Sequence, residues 1–418
     1  MGALRDFPED VGLAVKALKA FAERIDEQEA IDAGAVAAIV ASVRAHVSVS
    51  DVANFGCLAL YYIAVTSAGE QAAIDAGAAD TIVAAMIAHA GVSAIADIGC
   101  GALRNITSIL AGQQAVIDAG APAVIVTAMR EHIGVSDVAR EGCEVLGNIA
   151  DLLAGAQAVI DMGAPVAIVS AMRAHTANSG VARNGCFALF NIALTPAGQQ
   201  SLIDVGASAV IVTAMREHSG ASDVAHNGCR ALGNIAALPA GKQAVIDADA
   251  PITIVSAMRA HAGVCDVAHY GCKSLVNITF LPAGNLAAID AGAPAAIIAA
   301  MRGHADDRGV AYYGCFALGK IAELPAGERV TIDAGAPAAI IEAMSRHSGD
   351  PGVAYFGCRV LGNFAARPAG KSAVIASGGL SVIEAAISLH DKAKEPGEIA
   401  LAVLRAGGEP AHTVADMD

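Results

Sequence analysis

The sequence predicts an all-α protein, an α-solenoid of about nine three-helix repeats of 43 residues each. The stretch "GCEVLGNIA", residues 142–150, returns in related form along the chain. Columns of glycine, histidine and asparagine keep the same interval. Because a fixed period of about 20–50 residues marks a repeat architecture, we expect one tandem array and not two or three globular domains. Cysteine follows glycine at every step, at Cys57, Cys100, Cys143, Cys186, Cys229, Cys272, Cys315 and Cys358.

Composition and charge exclude several classes of protein. The chain is 55% hydrophobic, yet its apolar runs break after about a dozen residues, short of the roughly 20 that a membrane helix needs. The net charge of −15 argues against a general nucleic-acid binder. The opening residues, "MGALRDFPED", lack the basic-then-apolar order of a secretory signal. We therefore expect a cytoplasmic protein, with the nucleus as the alternative, that is neither secreted nor inserted in a membrane.

Residues 112–154 illustrate how the three helices of one repeat are predicted. "QQAVID" forms a short first helix that ends where Gly120 can adopt the left-handed conformation. Pro122 opens a second helix, where its missing N–H is not needed, and this helix runs to about His132. Ser136 is expected to cap a third helix that reaches about Ala150. The capping column holds Ser50, Ser93, Ser136, Ser179 and Ser222, and in the eighth repeat Asp350 before Pro351.

The ends of the array are expected to differ from its middle, because terminal repeats need a polar outer face. Residues 8–26 resemble a third helix alone, so residues 1–26 are predicted to be a partial, N-terminal capping repeat. Eight full repeats, numbered 1 to 8 below, span residues 27–369. Residues 370–407 are predicted to be a C-terminal capping repeat, where Leu401 replaces the cysteine and Ala406 the asparagine. Residues 408–418 are predicted to form a flexible tail.

The repeated motif "QQAVIDAGAPAVIV…SDVAREGCEVLGNIA" resembles an armadillo repeat, with a "Q-A-V-I-D-A-G" first helix and an "A-L-x-N-I-A" third helix, over about residues 8–407. The family includes armadillo, importin-alpha and beta-catenin. The resemblance implies a right-handed solenoid whose third helices line a concave groove. It also implies a binding protein and not an enzyme, so we expect no catalytic residues, no metal and no cofactor. Importin-alpha proteins carry Trp four residues before the asparagine, whereas this chain contains no Trp.

The recurring cysteines and histidines are expected to be structural. A disulfide needs Cα atoms within about 7 Å, whereas neighbouring helices pack about 8–10 Å apart, so Gly-Cys is interpreted as a small, buried packing pair. Each repeat carries one histidine at the end of its second helix, too far from its copies to share a metal ion. We expect it to interact with the last carbonyls of that helix, with a pH-sensing or metal-binding role as the alternative.

Cys265, the ninth cysteine, stands in the serine capping column. A helix N-terminus can lower the pKa of a thiol, which would make Cys265 reactive. We expect a plain exchange of serine for cysteine, with the reactive thiol as the alternative.

The near-identical repeats differ mainly in the third helix, at eight, seven, four and one residues before the asparagine column. These offsets lie on about one helix face, which collects Tyr, Phe and Arg, the residue types that dominate binding interfaces. Neutral drift on a solvated face is the alternative. The predicted peptide-binding residues are Asn105, Asn148, Asn191, Asn234, Asn277, Asn363, Arg140, Arg183, Phe187, Arg230, His269, Tyr270, Lys273, Tyr312, Tyr313, Phe316, Lys320, Tyr355 and Arg359.

The prediction is therefore a non-catalytic protein that binds an extended polypeptide. The asparagine amides would pair with the backbone of the partner, and the aromatic and basic residues of repeats 5–8 favour an acidic or phosphorylated segment with aromatic anchors. One alternative is a structural, self-assembling scaffold (cytoskeletal, ciliary or organellar) that associates through its Ala-rich convex surface. Another is an importin-alpha-like cargo adaptor. We expect a monomer under the first hypothesis and an oligomer under the scaffold hypothesis.

Overall fold

The computed structural model describes residues 10–23 and 34–406, and in this part of the chain every regular element is an α-helix. Its contacts divide the chain into two compact units, an N-terminal body, Met1–Ala214, and a C-terminal body, Met215–Asp418. Helices of three lengths alternate along both bodies, as expected for a helical repeat. The predicted first helix of repeat 1 and the predicted tail lie outside the described residues.

The helix bounds follow the 43-residue period. The first helices are Ser67–Asp75, Leu110–Asp118, Leu153–Asp161, Pro196–Asp204, Pro239–Asp247, Pro282–Asp290, Pro325–Asp333 and Pro368–Ala376. The second helices are Ala35–Ala45, Ala78–Ala88, Ala121–Glu131, Ala164–Ala174, Ala207–Glu217, Ala250–Ala260, Ala293–Gly303, Ala336–Arg346 and Gly379–Leu389. The third helices are Val11–Glu23, Ser50–Ile63, Ser93–Ile106, Ser136–Ala150, Ser179–Ile192, Ser222–Ile235, Cys265–Ile278, Arg308–Ile321, Pro351–Ala365 and Asp391–Arg405.

The turn between the first and second helices requires left-handed backbone. Gly120 has φ 72°, and the equivalent glycines of the other repeats have φ between 65° and 88°. Because glycine has no Cβ, it adopts this conformation without strain, and the prediction for Gly120 is confirmed. Repeat 6 is the exception, since Asp249 takes the position with φ 60°.

The start of the third helix differs from the prediction. Ser136 is the first helical residue, and the cap position belongs to Val135, which has extended backbone and offers no side-chain bond. A capping oxygen must come from the residue before the helix to reach the free N–H groups, so the serine column lies one position too late. Side-chain caps form where Asn or Asp precedes the helix, at Asn178, Asp307 and Asp350.

Within each body, every kind of helix packs on the same kind in the next repeat, and the third helices form the core of the stack. Cys143 and Leu146 are fully buried there. A Cβ on Gly142 would lie 2.8 Å from Cγ and Sδ of Met129, so glycine allows the second helix to approach. The Gly-Cys prediction of a small, buried packing pair is confirmed, and the described cysteines are free.

A second column of glycines brings the first helix onto the end of the preceding third helix. A Cβ on Gly112 would lie only 1.6 Å from the carbonyl oxygen of Ile106. Any side chain at this position therefore collides with backbone and not with a movable side chain. Equivalent approaches to a carbonyl oxygen, at 1.8–2.2 Å, occur at Gly69, Gly155, Gly198, Gly284, Gly327 and Gly370.

The histidine column joins neighbouring repeats. His132 donates from Nε2 to the carbonyl oxygen of Ala90, in the loop of the preceding repeat, at 2.7 Å. A carbonyl can only accept, so the proton sits on Nε2. The prediction of a structural role holds, but the expected partner was wrong, because the carbonyl belongs to the neighbour and not to the histidine's own helix. The same bond, at 2.7–2.9 Å, is made by His89, His175, His304, His347 and His390.

Arginines of the second helices reach in the opposite direction along the chain. Arg44 donates from Nη2 to the carbonyl oxygen of Gly77, in the following repeat, at 2.9 Å. Arg259 makes the same contact with Gly292 at 3.1 Å. A second helix thus carries polar contacts to the repeat before it and to the repeat after it.

Candidate functional site

The predicted peptide-binding residues all lie on third helices. Most are half-buried, whereas Asn191 is buried and Arg183 is exposed. Three asparagines, two arginines and Phe187 belong to the N-terminal body, and the remaining predicted residues belong to the C-terminal body. The two sets have different chemical surroundings, described in turn below.

The asparagine column bonds to the preceding third helix. Asn191 donates from Nδ2 to the carbonyl oxygen of Gly147 at 2.9 Å, and Asn277 to that of Gly233 at 2.8 Å. Asn105 bonds the carbonyl of Tyr61 in the same way, at 2.8 Å. Asn148 instead donates to Oγ1 of Thr107 at 3.0 Å. These amides therefore tie adjacent repeats together, and the side chain of Asn191 is too buried to meet an outside partner.

In the N-terminal body, Arg104 and Arg140 of the third-helix face are paired with carboxylates. The side chain of Glu141 is only 5% exposed and lies between two arginines. Its Oε2 is 3.1 Å from Nε of Arg104, and its Oε1 pairs with Nη1 of Arg140. Burial, followed by the charges of Asp137 and Glu141, raises the pKa of Asp97. The charges of Asp137 and Glu141 therefore add to the effect of burial at Asp97, while Arg140 acts in the opposite direction.

Two variable residues of repeat 3 are explained by their neighbours. Glu144 accepts from Nδ2 of Asn184 at 2.9 Å and also faces Arg104 at 3.8 Å. A Cβ on Gly147 would lie 2.7 Å from the ring of Phe187, so the glycine makes room for that ring. Variation at these positions was expected to reflect recognition of a partner. For Glu144 and Gly147 it reflects packing between adjacent repeats.

The C-terminal body carries a continuous series of aromatic rings across repeats 5–8. Phe316 and Phe356 stack with centroids 4.2 Å apart and an interplanar angle of 17°. Each contact between successive third helices involves a residue eight, seven or four positions before the asparagine column. The other ring contacts between successive third helices are His226–Tyr270 at 5.1 Å, His269–Tyr313 at 5.3 Å and Tyr312–Phe356 at 5.2 Å, and Phe280, just beyond its third helix, contacts Phe316 at 6.0 Å.

Cations lie over several of these rings. Arg230 Cζ is 4.9 Å and Lys273 Nζ is 5.9 Å from the ring centroid of Tyr270. Lys320 Nζ is 4.5 Å from the ring centroid of Phe280 and 2.7 Å from Oε1 of Glu323. Such contacts hold the aromatic faces and the basic groups together. We call this surface the aromatic-basic face; it comprises His226, Arg230, His269, Tyr270, Lys273, Phe280, Tyr312, Tyr313, Phe316, Lys320, Tyr355, Phe356 and Arg359.

A pocket of about 240 Å³ opens on the aromatic-basic face between repeats 6 and 8. Its walls combine aromatic rings with two cations, one carboxylate and one amide. Phe280, which the sequence reasoning missed, is 50% exposed at its edge. The available signal was an aromatic residue in a column that otherwise holds small, polar or aliphatic residues. The lining residues are Phe280, Phe316, Gly319, Lys320, Glu323, Tyr355, Phe356, Arg359, Val360 and Asn363.

Cys265 is not an activated thiol. Partial burial, then a hydrogen bond and the negative charge of Asp307, raise its pKa to about 11. The alternative interpretation, a reactive thiol with a lowered pKa, is therefore not supported, because burial and then Asp307 both act to raise the pKa of Cys265. The Gly-Cys thiols are buried, and desolvation raises the pKa of Cys57 to about 12. No group of three or more potential metal ligands comes together within residues 10–23 and 34–406.

The opposite helix layer carries small apolar pockets that recur along the chain. One, of about 190 Å³, lies between the second helices of repeats 2 and 3, beside Met86 and Val124. Equivalent pockets of about 160 Å³ and 450 Å³ lie beside Met172 and Met215. The exposed side chains Ile87 and Ile252 stand at their rims.

A helix that crosses a membrane needs about 20 predominantly apolar residues, and the described helices are shorter. Taken singly, none of them is long and apolar enough to cross a bilayer. Four pairs of consecutive helices meet the criteria together, but each pair bends by 73–77° at its break.

Comparison with known proteins identifies the fold. No protein-family model matches the chain, and no curated protein matches it either. The structure is similar to the crystal structure of an engineered protein from the Northeast Structural Genomics Consortium, with a TM-score of 0.81 and 25% identity. That match covers 96% of this chain and 97% of the engineered one. A second engineered protein from the same consortium matches with a TM-score of 0.51 and 27% identity, over 58% of this chain and 98% of its own.

A third similar structure is described as showing a conserved phosphorylation switch that controls the interaction between cadherin and beta-catenin. It has a TM-score of 0.54 and 14% identity and covers 95% of this chain and 92% of its own. At this identity the likeness concerns the fold alone. The chain therefore has an all-α, helical-repeat fold of the solenoid kind, which is compatible with a protein-binding scaffold.

Proposed function

We propose that the protein is a non-catalytic scaffold of armadillo type that binds an extended polypeptide along the aromatic-basic face. The observation that carries this proposal is the unbroken series of ring contacts across four consecutive repeats. Tyrosine and phenylalanine are also the side chains that give contact area at low entropic cost, since they have two rotatable bonds. In a chain with only 4% aromatic residues, this concentration on one face favours recognition over drift.

The dimensions of the face suit an extended chain. Neighbouring helices pack about 8–10 Å apart, and an extended polypeptide advances about 3.3 Å per residue, so one repeat corresponds to about three residues of the partner. The pocket of about 240 Å³ is smaller than the roughly 300 Å³ at which sites for drug-sized ligands begin. It suits one anchoring side chain of the polypeptide, with aromatic walls to receive an apolar or aromatic group.

The charge of the face favours an acidic segment. Arg230, Lys273 and Arg359 lie in one column of the third helices, whereas the equivalent position of repeat 3 is Glu144. Burial lowers the pKa of Lys273, and the charge of Arg230 lowers it further, as expected where cations crowd together. Acidic residues of a partner would relieve this repulsion and steer its approach.

Peptide arrays test the proposal. Wild type should prefer acidic peptides with aromatic residues, and replacing Arg230, Lys273 and Arg359 by Glu should abolish that preference. Combined replacement of Tyr312, Tyr313 and Phe316 by Ala should weaken binding by about 2 kcal/mol or more. Arg173→Glu, the same charge change on an exposed second-helix position, is the matched control. Preference for basic peptides, or no effect of the three Glu substitutions, would contradict the proposal.

The second candidate function is self-assembly through the second helices, favoured by the recurring apolar pockets of that layer. Light scattering over a concentration series separates the two functions. A monomer that binds peptides supports the first. The second is supported if wild type forms an ordered oligomer and binds no peptide, and if Ile252→Glu dissociates that oligomer.

A further inference from the structure

Four basic or imidazole groups surround the ring of Tyr270. Besides Arg230 and Lys273, at 4.9 and 5.9 Å, the imidazoles of His226 and His269 have their centroids 5.1 and 4.8 Å from that of Tyr270. These five residues, called the Tyr270 cluster below, come from the third helices of repeats 5 and 6. Within the residues that the structure describes, the buried Nε2 of His226 has no hydrogen-bond partner.

Few carboxylates accompany the Tyr270 cluster on its own helices. The two third helices carry carboxylates in their first turns alone, Asp223 and Asp266. Both raise the pKa of His226, yet burial first and Arg230 second lower it overall. The remaining carboxylate nearby, Asp307, faces His269 at 3.6 Å and caps the next helix. The potential at the cluster is therefore positive.

In the N-terminal body, a carboxylate of the chain itself lies between two arginines of the third-helix face. Arg104 and Arg140 also point towards one another on the third-helix face, but Glu141 lies between them with its side chain 5% exposed. In repeats 5 and 6 the residues that correspond to Glu141 are Asn227 and Tyr270, which carry no charge at neutral pH. The counter-charge present in one body is thus replaced by neutral side chains in the other.

We propose that the Tyr270 cluster binds a phosphate group carried by the polypeptide partner, a proposal that rests on the proposed function. A phosphate monoester carries a charge of about −1.5 to −2 at neutral pH, which matches Arg230 and Lys273 together, whereas a carboxylate matches only one of them. Its oxygens can accept from the guanidinium of Arg230 and the ammonium of Lys273. The ring of Tyr270 holds both cations in position from beneath.

Titration calorimetry of the full chain with inorganic phosphate, sulfate and acetate tests the site directly. Phosphate and sulfate should bind at one site, and acetate more weakly. Arg230→Leu and Lys273→Leu should each weaken phosphate binding about tenfold or more, the value of one charge-assisted hydrogen bond. Leucine is tolerated by the fold in this column, since Leu58 occupies it in repeat 1. Arg359→Leu, the same change two repeats beyond Lys273, should leave phosphate binding unchanged.

The outcomes separate this proposal from the proposed function. If wild type binds no phosphate, or if the Arg230 and Lys273 variants bind it as wild type does, the Tyr270 site is overturned while the peptide arrays still test the face. In the second arm, one array-selected peptide is compared with serine, glutamate and phosphoserine at each position. Phosphoserine should improve binding at one position only, and Lys273→Leu should remove that gain. Phosphate binding without any gain for a phosphorylated peptide would overturn the assignment to a polypeptide.

Discussion

Three glycines of the N-terminal body should respond to alanine in a graded way. A Cβ on Gly112 meets the backbone oxygen of Ile106 at 1.6 Å. A Cβ on Gly142 meets the side chain of Met129 at 2.8 Å. A Cβ on Gly134 has nothing within 4 Å. A Cβ therefore meets rigid backbone at Gly112, a flexible side chain at Gly142 and no atom at Gly134. The loss of stability caused by alanine should decrease in that order.

The magnitudes follow from these distances. Contacts below 3.0 Å are essentially never seen for a real Cβ, so the Gly112→Ala helix must retreat by more than 1 Å. The retreat loosens Val116, which is fully buried and contributes about 1.5–3 kcal/mol, and overpacking adds about 1–3 kcal/mol. Alanine regains about 1 kcal/mol as the better helix former. We expect a loss of about 2–4 kcal/mol for Gly112→Ala and about 0–2 kcal/mol for Gly142→Ala, where the thioether can move.

Urea unfolding followed by circular dichroism measures the series, with Gly134→Ala as the control that should stay within about 0.5 kcal/mol of wild type. Repeat arrays can unfold in steps, so the first transition is the quantity to compare. If Gly112→Ala unfolds at the same urea concentration as Gly134→Ala, the backbone contact does not constrain the first helix and the reasoning is refuted.

Three further predictions concern single contacts. Asp249→Gly should raise the free energy of unfolding by about 0.5–1 kcal/mol, because it removes the cost of a left-handed non-glycine residue, and Gly292→Asp should lower it; equal signs would contradict this. His132→Ala should lower the free energy of unfolding in urea by about 1–2 kcal/mol, because the bond to Ala90 is lost. Thr127→Ala loses an exposed bond within its own helix and should lower it by less than half as much. Asp307→Asn should speed alkylation of Cys265 at pH 8. Removing the charge lowers the thiol pKa from about 11 and so increases the thiolate fraction. The amide oxygen of Asn can still cap the helix as the carboxylate does. Asp306→Asn, on the neighbouring residue, is the control for Cys265, and an unchanged rate in Asp307→Asn would show that the carboxylate does not hold the pKa up.

Features that depend on the chemistry of one repeat could be predicted from the sequence. Gly120 needs only its own backbone angles to be recognised, and Gly142 with Cys143 needs only the small size of both residues. The bond from His132 to Ala90 could not be predicted, because the acceptor lies 42 residues away and is chosen by the stacking geometry. The same holds for Ser136, since one residue of displacement decides whether a hydroxyl reaches the free N–H groups.

The candidate site likewise combines features that the sequence can predict with features that it cannot. The aromatic and basic character of the third helices of repeats 5–8 could be predicted, because equivalent positions of near-identical repeats can be compared. Burial of Glu141 between two arginines was not, since it requires knowing which side chains of adjacent repeats meet. Variation between repeats can therefore reflect compensation inside the chain as well as the proposed recognition of a partner, and contacts such as that of Gly147 with Phe187 identify the first of these.

The two polar contacts of the second helix bear on how the length of this protein can change. The junctions that follow repeats 1, 3 and 6 each take a histidine from the later repeat and an arginine from the earlier one. A copied block of 43 residues that carries both residue types, such as repeat 3, would therefore create a junction whose two polar contacts can form again. The array can thus be extended in whole blocks by recombination or by design, whereas the order of repeats 5–8 is constrained by their ring contacts.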